Sequence, residues 1–116
     1  MKTDNVIVWK SSAFAFRIVR LYKYLRETKH EFVLSKQVLR CGTSIGANVK
    51  EAIRGQSKAD FLAKMNIALK EASETEYWLE VLYAGEFIDR KAYLSLNSDC
   101  QELLKILTSI VKTSRE

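Results

Sequence analysis

Proline is absent from all 116 residues of this chain, and only four glycines interrupt it. Proline breaks a helix by removing a backbone donor and clashing with the preceding turn, and glycine weakens one entropically. β-Sandwiches and barrels need such residues at their frequent turns. A chain this poor in both suits long helices joined by short connections. At this length it reads as one domain, residues 1–116, able to bury roughly two-thirds of its unfolded surface. Apolar residues make up 47% of the chain, so a core needs no metal or disulfide.

Four segments carry the three-and-four spacing of a helix with one apolar face. The first spans residues 5–29, with Ile7, Phe14, Ile18, Leu21 and Leu25 inward, Thr3 or Asp4 as a cap, and Arg26, Lys29 and His30 near its negative end. The second spans 36–54, with Ser35 as N-cap, a Leu34–Leu39 staple and Gly55 suited to a left-handed stop. Its stripe is Val38, Cys41, Ile45, Val49 and Ala52. The third spans 58–84, opened by Ser57 with Asp60 three residues on and closed by Gly85. Phe61, Met65, Ala68, Ala72, Thr75, Leu79, Leu82 and Tyr83 line its inner side. The fourth follows Asp89, with an Ile88–Tyr93 staple, and runs to about residue 112 along Leu96, Cys100, Leu103, Leu107 and Ile110. Short connections place sequential helices antiparallel, so the predicted fold is all-α, an up-down-up-down four-helix bundle. Cys41 and Cys100 fall on core stripes and read as free thiols. The stretch before Lys10 is too short and polar for a signal peptide or a membrane span, which points to a cytoplasmic protein.

Two helices carry more apolar surface than a bundle uses. Trp9, Ala13, Phe16 and Tyr24 lie opposite the core stripe of the first helix, and Ile67, Trp78 and Val81 lie off that of the third. Such patches mark interfaces, and self-association through Trp9, Phe16, Ile67 and Trp78 is the expectation; scattered surface apolars are the bland alternative. Charge is unevenly divided. Residues 1–54 hold eleven Lys/Arg against four Asp/Glu, a net of +7, and residues 55–116 hold eight against ten, a net of −2. Either the basic half meets an anionic partner or the two halves neutralise each other within the bundle or between subunits. Arg17, Arg20 and Lys23 alternate with Phe16 and Tyr24, the combination of cations and aromatic faces that meets phosphates and unpaired bases. The same residues would equally make a solvated basic face beside an interface.

Helix two carries a polar stripe of Gln37, Arg40, Ser44, Asn48 and Glu51 beside its core stripe. Gly42 and Gly46, one turn apart, let a neighbouring helix approach. Glu71 and Glu76 of helix three are the carboxylates expected to complete a structural network with Arg40, Ser44, Asn48 and Glu51, since polar groups near a core need partners. Catalytic chemistry finds no support. One histidine and two distant cysteines give no zinc spacing, GTSIG at residues 42–46 lacks the strand and lysine of a phosphate loop, and the helix-three glutamates have no histidines for a di-iron site. No cofactor, metal or enzymatic activity is expected.

Gln37-Val-Leu-Arg40 followed by Ser44-Ile-Gly-Ala-Asn48-Val-Lys-Glu51-Ala52, then Asp60-Phe61 and the run from Ile67 to Leu79, resembles the helix-two and helix-three signatures of the bacterial four-helix bundle proteins, also called the 23S rRNA intervening-sequence protein family. Ala52 stands where many members have glycine. The resemblance implies a bacterial protein of a family often encoded within intervening sequences of 23S rRNA genes, with no enzymatic activity attached. It also implies a fold similar to the accessory variability determinant of diversity-generating retroelements, a basic homopentameric ring that associates with nucleic acid and a reverse transcriptase. The function expected is therefore an oligomeric RNA- or DNA-associated protein, contacting phosphates through Arg17, Arg20, Lys23 and Arg40. The alternative is a scaffold binding a protein partner, such as a reverse transcriptase, through the apolar outer faces.

Overall fold

The apolar stripes read from the sequence are the ones that close the core. The computed structural model describes the backbone from Lys2 and the side chains from Val6. It forms α1 (Lys2–Glu27), α2 (Leu34–Ile53), α3 (Lys58–Ala84) and α4 (Arg90–Ser114). The expected cap by Thr3 or Asp4 lies outside the described side chains. Each helix packs against its sequence neighbours and α1 closes on α4. The result is an up-down-up-down bundle 44 Å long and 21 × 18 Å across. Phe14, Ile18, Ile45, Met65, Leu79 and Leu107 are among the fully enclosed side chains. Each such side chain contributes about 1.5–3 kcal/mol by leaving water. Tyr83 departs from its expected inward place. It is 38% exposed and lies flat against Tyr93 of α4, centroids 4.7 Å apart.

Two helix ends differ from expectation. Ser35 does not cap α2. The Glu31 carboxylate does so from upstream, accepting from the N–H groups of Val33, Leu34 and Ser35, while the buried Ser35 hydroxyl donates to the Glu31 carbonyl. Partial burial raises the Glu31 pKa, but the donated hydrogen bonds outweigh it and hold this carboxyl below its ordinary value. Gly55 is not left-handed. It leaves room where α2 turns into α3, since a Cβ there would sit 3.1 Å from the Ala52 carbonyl. Gly85 closes α3 as expected, with an ordinary φ of −80°, and the left-handed residue after it is Glu86 at φ 65°. Phe87 N–H reaches Leu82 O and Glu86 N–H reaches Tyr83 O, which completes a Schellman stop with glutamate in the glycine's usual place.

The left-handed conformation costs a non-glycine residue roughly 1–2 kcal/mol, and glycine's looser unfolded chain takes back about 0.4–1. Glu86→Gly is therefore expected to stabilise the fold by about 0.5–1 kcal/mol, raising the melting temperature by roughly 2–4 °C. A melting curve that does not move upward would show that the Glu86 side chain makes up for its own backbone.

Both cysteines are buried and free. Cys41 Sγ lies 3.7 Å from Val38 O, and Cys100 Sγ lies 3.4 Å from Ala72 O, the latter joining α4 to α3. Burial pushes the Cys41 thiol up to about 11 and the Cys100 thiol up to about 12. Neither supplies a thiolate near neutral pH, so both serve packing.

Candidate nucleic-acid interface

Helix α1 turns Ile7, Phe14, Ile18, Leu21 and Leu25 into the core. The opposite side therefore presents Val6, Trp9, Ala13, Phe16, Arg20 and Lys23, all exposed and spaced alternately by three and four residues. The stripe changes character along its length. Its first half is apolar, with Trp9 78% and Phe16 62% exposed. Its second half is basic, and Tyr24 lies beside it at 40% exposure.

Ion pairs divide the four cations expected to meet phosphates. Arg17 is held against α4, donating to Asp99 Oδ2 at 2.7 Å, Ser95 O at 3.3 Å and Ser95 Oγ at 3.0 Å. Arg40 is held against α3 by Glu71 at 3.3 Å and by Glu74. Lys10 meets Glu102 of α4 at 3.0 Å. The basic half thus neutralises part of the second half inside one chain. Arg20 and Lys23 form no ion pair among the described residues. Arg26, also on α1, stands over the rings of Tyr22 and Phe32, at 5.4 and 4.9 Å.

The expected polar network is assembled differently. Arg40 joins Glu71, as anticipated, and also Glu74, which the sequence reading had left out. Ser44 and Asn48 do not reach α3. Their side chains donate back to Arg40 O at 2.6 Å and Ser44 O at 2.8 Å within α2. Glu51 meets Lys64 at 3.6 Å. Glu76 faces away from α2 and accepts from Gln101 of α4. It sits on the other flank of the α3 core stripe from Glu71, so no network of all six residues forms.

The residues expected at an oligomer interface also separate. Trp9 and Phe16 stand open, and Ile67 is 39% exposed. Trp78 is half-buried against the core, its indole N–H donating to Glu74 at 3.2 Å. The aromatic that α3 exposes is its neighbour Tyr77, 57% open and edge-on to Trp78. A tyrosine one helical step further from the core stripe was the available signal for it.

Sequence reasoning missed a cleft. Between α1 and the start of α4, Leu21, Ile88 and Leu96 floor an open cavity of about 850 Å³. Tyr24, Tyr83 and Phe87 line it, with Arg17, Arg20, Lys29 and Arg90 as its cations and Glu86 and Asp89 as its carboxylates. These residues come from two chain segments, 17–29 and 83–96, and no local spacing brings them together.

An all-α bundle with one basic, aromatic outer helix face and a cation-rimmed cleft defines a four-helix protein built to present surface. Among the described residues no helix is long and apolar enough to cross a membrane. The chain belongs to the 23S rRNA-intervening sequence protein family, whose profile matches residues 3–109. It is similar to a crystal structure, at 1.70 Å resolution, of a protein of unknown function from the S23 ribosomal protein family of Bacteroides thetaiotaomicron VPI-5482. The two are 59% identical with a TM-score of 0.93, over 95% of this chain and 98% of that one. Among curated proteins there is no match.

Proposed function

We propose that the protein is a non-enzymatic, self-associating, nucleic-acid-binding protein that engages RNA or DNA by its phosphates. One observation carries this reading. Arg20 and Lys23 stand exposed, outside every ion pair among the described residues, on the same outer side of α1 as Tyr24. Free cations neutralise phosphates and exposed rings stack on unpaired bases. The family's description, which ties it to 23S rRNA intervening sequences, supports the choice of nucleic acid as the anion. Arg17 and Arg40, being committed to carboxylates, act indirectly by fixing α1 and α2 against their neighbours. The decisive test is fluorescence anisotropy with structured RNA and duplex DNA, comparing wild type with Arg20→Glu/Lys23→Glu.

Self-association runs through the apolar half of the same stripe. Trp9 and Phe16 are large rings whose burial would anchor an interface, and the resemblance to a ring-forming relative makes five-fold closure the expected arrangement. Light scattering is expected to give a mass well above the monomer, and Trp9→Glu/Phe16→Glu is expected to return it to the monomer. A monomeric wild type at micromolar concentration would remove this part of the proposal. Trp9's exposure also favours a second reading, a scaffold that covers the ring with a protein partner such as a reverse transcriptase. That reading takes over if wild type binds no nucleic acid at low salt.

A further inference from the structure

We infer that the cleft between α1 and the α3–α4 turn is a binding site for a single nucleotide unit, with its base against the tyrosine-lined wall and its phosphate at the cationic rim. The site shares Arg20 and Tyr24 with the strand-binding face proposed above and to that extent rests on that reading, but its floor, Tyr83, Lys29 and Arg90 are its own. Its volume of about 850 Å³ falls within the roughly 300–1,000 Å³ of small-ligand pockets. The floor is apolar and the walls offer two aromatic faces. Tyr83 is 38% exposed and Tyr24 40%, so neither ring is consumed by the core. Tyr83 is also pre-set. Its stacking on Tyr93, 8° from parallel, holds the ring in place.

The charges at the rim are asymmetric once internal partners are removed. Arg17 is committed to Asp99 and Ser95, and Asp89 to the Ala92 N–H at the start of α4, at 2.8 Å. That leaves Arg20, Lys29 and Arg90, none in an ion pair among the described residues, against the carboxylates of Glu86 and Asp89, whose capping bond does not cancel its charge, an excess of one cation. Glu86 is fixed there by the Schellman stop of α3. A bare phosphate would leave the apolar floor and the tyrosines unused. A neutral aromatic would leave the net positive charge of the rim unused. A nucleotide uses both.

The test is an NMR titration of the intact ¹⁵N-labelled protein with AMP, adenosine and inorganic phosphate. AMP at millimolar concentration is expected to give saturable shifts confined to residues 17–29 and the segment from Tyr83 to Leu96. Adenosine and phosphate are each expected to bind at least about tenfold more weakly, a loss of roughly 1.4 kcal/mol. Lys29→Glu/Arg90→Glu removes two exposed charges without touching the core, and is expected to keep a dispersed spectrum while weakening AMP by about tenfold or more. A short oligonucleotide with and without a 5′-phosphate separates the two sources of the ligand. Tighter binding of the phosphorylated strand than of AMP identifies a strand end, and equal or weaker binding identifies a free nucleotide. No saturable AMP shift, equal shifts from phosphate alone, or unchanged AMP binding by the charge-reversed variant would each overturn the site. Because AMP carries no strand, this failure is separate from a failure of the anisotropy experiment.

Discussion

Gly42→Leu is expected to leave little folded protein. Gly42 is fully enclosed where α2 crosses α1, and a Cβ built there would lie 2.8 Å from Ile18 Cγ1 and 2.9 Å from Cγ2. Ile18 is itself 0% exposed. Its β-branched side chain has one strongly preferred rotamer in a helix, so it cannot swing aside. A single added methyl already overfills the site. Gly42→Ala gains about 1 kcal/mol of helix propensity and loses about 1–3 to overpacking, which predicts a net loss of roughly 1 kcal/mol. Leucine adds three more carbons to the same contact. The helices would have to part, at a cost comparable to the roughly 5–15 kcal/mol that holds an ordinary domain together.

Gly46 supplies the control. One turn along, its added Cβ would meet the Ser11 carbonyl oxygen at 3.4 Å, an ordinary contact. Gly46→Ala is therefore expected to be neutral or stabilising by up to about 1 kcal/mol. Urea melts of the two alanine variants decide the matter, and equal stability of Gly42→Ala and wild type would refute the contact. A double-mutant cycle adds a sharper reading. Ile18→Ala removes the atoms that clash, so it should cost less in the Gly42→Ala background than in wild type.

That pair of glycines also marks what a linear reading resolves. Their one-turn spacing announced a close helix approach, and the absence of proline announced long helices. Neither said that α1 was the approaching helix, or that Ile18 would fill one notch while Ser11 left slack in the other. The same limit explains Glu76. Helical spacing fixes the angle of a residue around its own axis, but the flank on which each neighbour lies depends on the handedness of the bundle. Glu71 and Glu76 differ by five positions and so face α2 and α4 respectively. Ser35 failed as a cap for a different reason. Glu31 reaches forward two to four residues from before the helix, a route that the usual serine signal masks. Arg17 was legible as a cation on an outer turn, yet its partners Asp99 and Ser95 lie some eighty residues away. The free charges that matter for binding are those left over after such pairs form, and only the fold does that subtraction.

Applied to α1, the subtraction leads to the prediction that Arg20→Glu/Lys23→Glu will lower nucleic-acid affinity at least about tenfold and flatten its salt dependence. Both side chains are exposed, so the variant should fold and assemble as wild type does. Two phosphate contacts give a slope of about −1.8 in log affinity against log salt for duplex DNA, or roughly tenfold weaker binding over a fourfold rise in salt. In a closed assembly every subunit repeats the stripe. Contacts from several subunits to one strand then add through effective concentration, and the measured slope steepens with the number engaged. Trp9→Glu/Phe16→Glu should consequently reduce the slope toward the two-contact value even though it leaves both cations in place. Sequence preference should be weak, because contacts to phosphates position a strand without reading its bases. Anisotropy titrations at two salt concentrations on wild type and both variants measure each term. Binding by the charge-reversed variant as tight as wild type would move the interface off this face of α1. A salt slope unchanged by dispersal of the assembly would instead mean that each subunit binds alone.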